Sequence, residues 1–144
     1  MSETSERRAA RFVFLTDDAS VSADARYAWR LDAANHRPLG RAATWTSGLD
    51  ACRDEAAKFT SGLGEHAGDV VVERHGTRWG WQLAAGGVDA VSTHSYLRRV
   101  ECLRGFAQFG QMARAADPGD GVVRHFGANT LRGYGSPAPA AGGR

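Results

Sequence analysis

The sequence predicts an α+β fold: two β-β-β-α repeats whose antiparallel sheets are covered on one face by helices and pack as a pseudo-dimer. Three observations predict it. An aromatic-x-Trp-x-Leu-x-Ala strand is written twice, as Tyr27-Ala-Trp29-Arg30-Leu31-Asp-Ala33 and as Trp79-Gly-Trp81-Gln82-Leu83-Ala-Ala85. An apolar stripe at helical spacing follows each copy. The copies keep step, since 52 positions separate Trp29 from Trp81 and 50 separate Cys52 from Cys102. A period of about 50 residues suits one supersecondary unit.

The elements follow in order. Phe12-Val13-Phe14 reads as the opening strand of the first repeat, 11–60. In the second strand Tyr27, Trp29 and Leu31 alternate with Ala28, Arg30 and Asp32, the period of a strand with one buried and one wet face. Ala34-Asn-His-Arg-Pro38 is turn-rich, and Leu39 to Thr44 returns as a third strand. Leu49, Cys52, Ala56 and Phe59 make one stripe of a helix. Ser47, with Asp50 three residues on, is read as an acidic capping-box variant opening it. A connector spans 61–68. The second repeat, 69–116, repeats the plan: Val70-Val71-Val72, the Trp79–Ala85 strand, a Gly86-Gly87 hairpin signal, and Val88 to Thr93. Cys102, Phe106, Phe109 and Ala113, widened by Val100 and Leu103, form the second helical stripe. An extension at 117–135 carries a candidate strand at 122–126, including Val122-Val123-Arg124. The tails 1–10 and 136–144 read as disordered by composition.

With 42% apolar and 24% charged residues, the chain has the composition of a soluble globular domain. Its net charge of +2 demands no acidic partner, although Lys58 is the only lysine among 18 basic residues. Arginine makes bidentate contacts to carboxylate and phosphate. The N-terminus has no apolar signal-peptide core, and no run of about 18 apolar residues marks a membrane span. The expectation is a cytoplasmic protein with reduced cysteines.

On these residues the chain resembles the YegP-like family, small bacterial tandem-repeat proteins of unknown function. The resemblance rests on Tyr27-Ala-Trp29-Arg30-Leu31-Asp-Ala33-Ala-Asn35, Trp45 and Ala51-Cys52 in the first copy. In the second it rests on Trp79-Gly-Trp81-Gln82-Leu83, Ser95-Tyr96 and Glu101-Cys102, and it covers roughly residues 11 to 113. Departures are Gln82 in the place of Arg30, a longer Asp17–Arg26 loop, and no serine before the helix aromatic of the first copy. The resemblance implies a two-unit sandwich whose halves pack as a pseudo-dimer, with strand exchange an option. It carries no catalytic residues.

The residues themselves offer little chemistry. Core aromatics are weighed against a base-stacking or carbohydrate platform, and burial is the expectation. The predicted core is Phe12, Phe14, Tyr27, Trp29, Leu31, Cys52, Phe59, Trp79, Trp81, Leu83, Cys102, Phe106 and Phe109. The cysteines fall at matching helix positions and read as small hydrophobes. A disulfide needs their Cα atoms within about 7 Å, and no Cys-x-x-C is present. His36, His66, His75, His94 and His125 lack metal-site spacing. Phosphate-loop, dinucleotide and nucleophile-elbow motifs are absent. Asp17-Asp18 with Asp24 lacks calcium-loop spacing.

The reading is a non-catalytic binding or interaction module, with a protein partner or self-association, no membrane, no cofactor and no metal. The alternative is nucleic-acid binding through Arg30, Arg41, Arg98, Arg99 and Arg104, with Arg7, Arg8, Arg11 and the Arg132-Gly-Tyr134 segment nearby in sequence. A weaker alternative is thiol redox chemistry at Cys52 or Cys102.

Overall fold

A computed structural model describes residues 10–16, 25–65 and 71–125. Arg7, Arg8, Asp17, Asp18, Asp24, His66, Val70, Arg132, Tyr134 and the C-terminal tail lie outside the described residues. The strands are β1 (Arg11–Thr16), β2 (Arg26–Asp32), β3 (Pro38–Ala42), β4 (Thr46–Ser47), β5 (Val71–His75), β6 (Arg78–Ala85), β7 (Val88–Ser92) and β8 (Val122–His125). The helices are α1 (Leu49–Glu65) and α2 (Arg99–Ala115), with a 3-10 turn at Pro118–Asp120 before β8.

All eight strands join one sheet in the order β5-β6-β7-β3-β2-β1-β8, with β4 paired to the start of β2. Two antiparallel meanders, β1-β2-β3 and β5-β6-β7, meet where β3 pairs antiparallel with β7. The sequence pointed to antiparallel pairing throughout, yet β8 runs parallel to β1. The predicted Gly86-Gly87 hairpin is present. Both glycines have positive φ, 61° and 78°, between the paired Ala85 and Val88, the backbone that a two-residue turn of the mirror-image type requires.

The aromatics of the repeated strand build the core beneath both helices. Trp29 is 1% exposed and Trp81 2%. Ring contacts run without a break from Phe12 to Trp29, Phe59, Phe109, Trp81 and Phe106, with centroids 4.6 to 5.7 Å apart. Such pairs contribute about 0.5–1.5 kcal/mol each beyond area burial, so the chain of rings ties the two meanders together through the helices. Gly40 makes room for it, since a Cβ there would lie 2.6 Å from the Phe109 ring.

Several expectations are corrected. Trp79 and Phe106 are partly buried rather than enclosed, and Val100 does not widen the α2 stripe but stands 50% exposed. Ala10 is buried, not part of a tail. Gly48, not Ser47, immediately precedes α1 and supplies the carbonyl that accepts from the Cys52 N–H; Ser47 is taken up by β4. A third strand reaching Thr44 ends at Ala42, and one reaching Thr93 ends at Ser92. The largest departure is in β2, where every residue from Tyr27 to Asp32 is buried, on both faces.

Candidate functional site

The five arginines singled out by sequence do not form one surface. Arg30 was expected to face water but is 7% exposed, its Nε and Nη2 donating to the two carboxylate oxygens of Asp32 at 2.7 and 2.9 Å. A buried guanidinium needs such a partner, and Asp32 stands two residues along the same strand. Arg30 is therefore not available to a phosphate backbone. Arg41 is its cross-strand neighbour on β3. Burial lowers its pKa, its Nη1 donates to the Ala42 carbonyl at 3.1 Å, and its Nε is buried without a partner. Arg98, Arg99 and Arg104 are exposed and belong to the start of α2.

Around that helix end the structure brings together residues that sequence reasoning had not linked. Arg37, from the β2–β3 turn, shares a crevice of about 200 Å³ with Leu39, His94, Tyr96, Glu101, Arg104, Gly105 and Gln108. Three anchors shape it. His94 Nε2 donates to the Pro38 carbonyl at 2.7 Å, tying the segment after β7 to the start of β3 and leaving Nδ1 as the ring nitrogen free to act. The backbone of Tyr96 bridges Trp79 in both directions, at 2.7 and 2.8 Å. Its ring lies against α2 at Gly105, where a Cβ would fall 2.1 Å from the hydroxyl oxygen. Burial, and then Cys102, push the Tyr96 pKa up, against the opposing pulls of Trp81 and then Arg37, so the hydroxyl stays protonated and can donate.

The electrostatics favour anions. Arg37, Arg98, Arg99 and Arg104 have no carboxylate within ion-pair distance among the described residues, and Glu101 is the acid lining the crevice. The α2 N-terminus is opened by Arg98 with no side-chain cap, so free N–H groups and two cations share the positive end of a helix dipole. Cations there are destabilising by about 0.3–1 kcal/mol each. Glu101 in the first turn of α2 offsets part of that cost, and Leu97 adds a 64% exposed apolar side chain beside them. A pocket of this size is below the ~300 Å³ typical of cofactor sites. It suits an oxyanion or a single group of a larger ligand.

A second crevice of about 200 Å³ lies on the sheet face away from the helices, lined by Glu73, His75, Arg78, Gly80, Gln82, Ser92 and Ser95 among others. Arg78 is held to its wall by Ser95, through the hydroxyl and, at 3.1 Å, the carbonyl.

The thiols are closed to chemistry. Cys52 and Cys102 are both free and fully buried. Burial, then Glu55, push the Cys52 thiol up to about 12, against the opposing pull of Arg53. The Cys102 thiol is pushed up by burial, with Arg99 opposing. A nucleophilic cysteine needs the reverse, a lowered pKa and access. Among the described residues no three His, Cys, Asp or Glu side chains come together as metal ligands, and no helix is long and apolar enough to cross a membrane.

No signal in the sequence joins Arg37 to Arg104, because the crevice is created by the packing of α2 against the first hairpin. No protein-family model matches the chain, and no curated protein matches it. Among solved structures, the solution structure of the protein of unknown function YegP from E. coli is similar, at 14% identity and a TM-score of 0.53. The match covers 84% of this chain and 96% of that one. At that identity the likeness speaks for fold alone, and the fold of this chain is YegP-like.

Proposed function

We propose that this chain is a non-catalytic binding module that holds a polyanion, a nucleic-acid backbone, at the N-terminal end of α2. One observation carries the reading. Arg98 and Arg99 occupy the uncapped positive end of a helix, beside a crevice lined by Arg37, His94 and Arg104. An arrangement that costs stability in the free chain is relieved by an anion bound from outside. The enclosed thiols, with the Cys52 thiol pushed up by burial, support a role without thiol chemistry.

The two meanders are read here as copies of one unit packed as a pseudo-dimer. Supporting this, Arg41 pairs with Val91, 50 positions on, and on either side Gly40 pairs with Ser92 and Ala42 with Ala90. That register is symmetric about its central pair.

The test is titration of single- and double-stranded oligonucleotides at 50 to 200 mM salt. Affinity is expected to fall with a log–log slope of about −3, and replacing Arg98 and Arg99 with alanine is expected to lower that slope by about 2. Binding that ignores salt, or no binding, overturns the nucleic-acid reading. Purified protein that turns over a substrate, with one polar substitution abolishing the activity, overturns the non-catalytic one.

A further inference from the structure

The two ends of the sheet are treated differently. β1 and β5 are the first strands of their meanders and lie farthest from the β3–β7 seam. The outer edge of β1 is closed by β8 in parallel, with Val13 opposite Val122, Phe14 opposite Val123, Leu15 opposite Arg124 and Thr16 opposite His125. β5 ends the sheet, with no strand beyond it among the described residues. Its outward N–H and C=O groups are a template for another strand.

We propose that the open edge of β5 receives an extended segment of a partner protein, added parallel to it as β8 is added to β1. The molecule thereby supplies its own model of the occupant. Phe14 stands opposite Trp29 and Val72 opposite Trp81. In that alignment Val71, Val72, Glu73 and Arg74 take the places of Val13, Phe14, Leu15 and Thr16. Where Arg124 pairs with Leu15 on β1, an incoming strand on β5 meets Glu73. The Glu73 side chain is 57% exposed, and its ion contact is a long 3.8 Å to His75 Nε2. A segment with two β-branched residues followed by a basic one matches this edge in backbone and in charge. Exposed charges on an edge strand discourage indiscriminate pairing; here they select the sequence that is admitted, in the manner of β-strand addition with side-chain specificity. A second copy of this chain fits less well. An antiparallel β5–β5 pair with its two-fold axis at Glu73 or at Arg74 sets like charges opposite one another, which is destabilising.

The test is amide NMR of the whole chain titrated with a peptide of the sequence of residues 117–126, which carries the Val-Val-Arg run. Shifts at the Val71–His75 amides are expected. Glu73→Lys, an exposed change, is expected to weaken binding by about fivefold. A peptide with glutamate in place of its arginine is expected to recover the loss on that variant. The proposal is overturned by shifts at Val13–Thr16, where the peptide would be displacing β8. It is also overturned by an unperturbed β5 at millimolar peptide, by binding indifferent to both charge changes, or by a dimer of the peptide-free chain with β5 already protected. Arg37, Arg98, Arg99 and Arg104 are untouched throughout, so this outcome and that of the oligonucleotide titration are independent.

Discussion

The same strand is written twice and used in two ways. In β2 the side chains from Tyr27 to Asp32 are all buried, whereas in β6 Trp81, Leu83 and Ala85 are buried and Gln82 and Ala84 are exposed. On the helix side the copies agree, tryptophan for tryptophan and leucine for leucine. On the other side the first half closes over Val13, Leu15, Ala28 and the Arg30–Asp32 pair, while the second opens into a crevice over Gly80 and Gln82. One apolar face is enough to make such a strand. The opposite face is then free to become either a second interior or a surface, and a few residues decide which.

Three substitution or titration experiments sharpen that contrast. The largest effect is expected on the shared face. Trp29→Ala and Trp81→Ala should each cost about 3–5 kcal/mol in denaturant unfolding, and a loss confined to one of them would show that the halves do not share a core. Next comes the face on which they differ. Asp32→Ala strips the carboxylate from a buried guanidinium and should cost on the order of 3 kcal/mol. At the matching site, Ala84→Asp should stay within about 0.5 kcal/mol. Equal costs would mean that the two outer faces are alike after all.

The effect spread most thinly, smaller than these over any single pH unit, is alkaline. The Cys52 thiol titrates near 12 in the folded chain against 9.0 when free. The thiol is raised, so its contribution is intact below pH 9 and is lost as pH climbs toward 12, because only the unfolded chain gives up the proton. The slope should be about 1.4 kcal/mol per pH unit in that window. Cys52→Ala should lower the slope by that amount, leaving the part due to Cys102 and Tyr96, which burial also raises. An unchanged slope, or rapid alkylation of the native protein at pH 8, would contradict burial of the thiol.

Periodicity made one face of each element legible: the alternation around Trp29 and Trp81 and the stripe from Cys52 to Phe59 each correspond to a buried surface. It failed where a polar residue was buried with its own partner. Arg30 and Asp32 look like a wet face in one dimension, because alternation does not reveal that two opposite charges two residues apart neutralise each other. Parallel addition of β8 to β1 and the meeting of Arg37 with Arg104 were illegible for another reason. Both depend on contacts between distant segments that leave no local spacing. The α2 N-terminus lay between the two, since the arginines and the lack of a cap are visible in sequence but the crevice beside them is not.

Gly62 of α1 has no side chain, and a Cβ there would lie 2.2 Å from the Gly86 nitrogen; one at Gly86 would lie 2.1 Å from the Lys58 carbonyl oxygen. Bare backbone of the first half's helix thus rests on bare backbone of the second half's hairpin. With Phe59 wedged between Trp29 and Phe109, that helix roofs strands from both halves at once. Neither half has a lid wholly its own. Although the chain reads like two small proteins in series, that shared roof is expected to make it melt in a single transition.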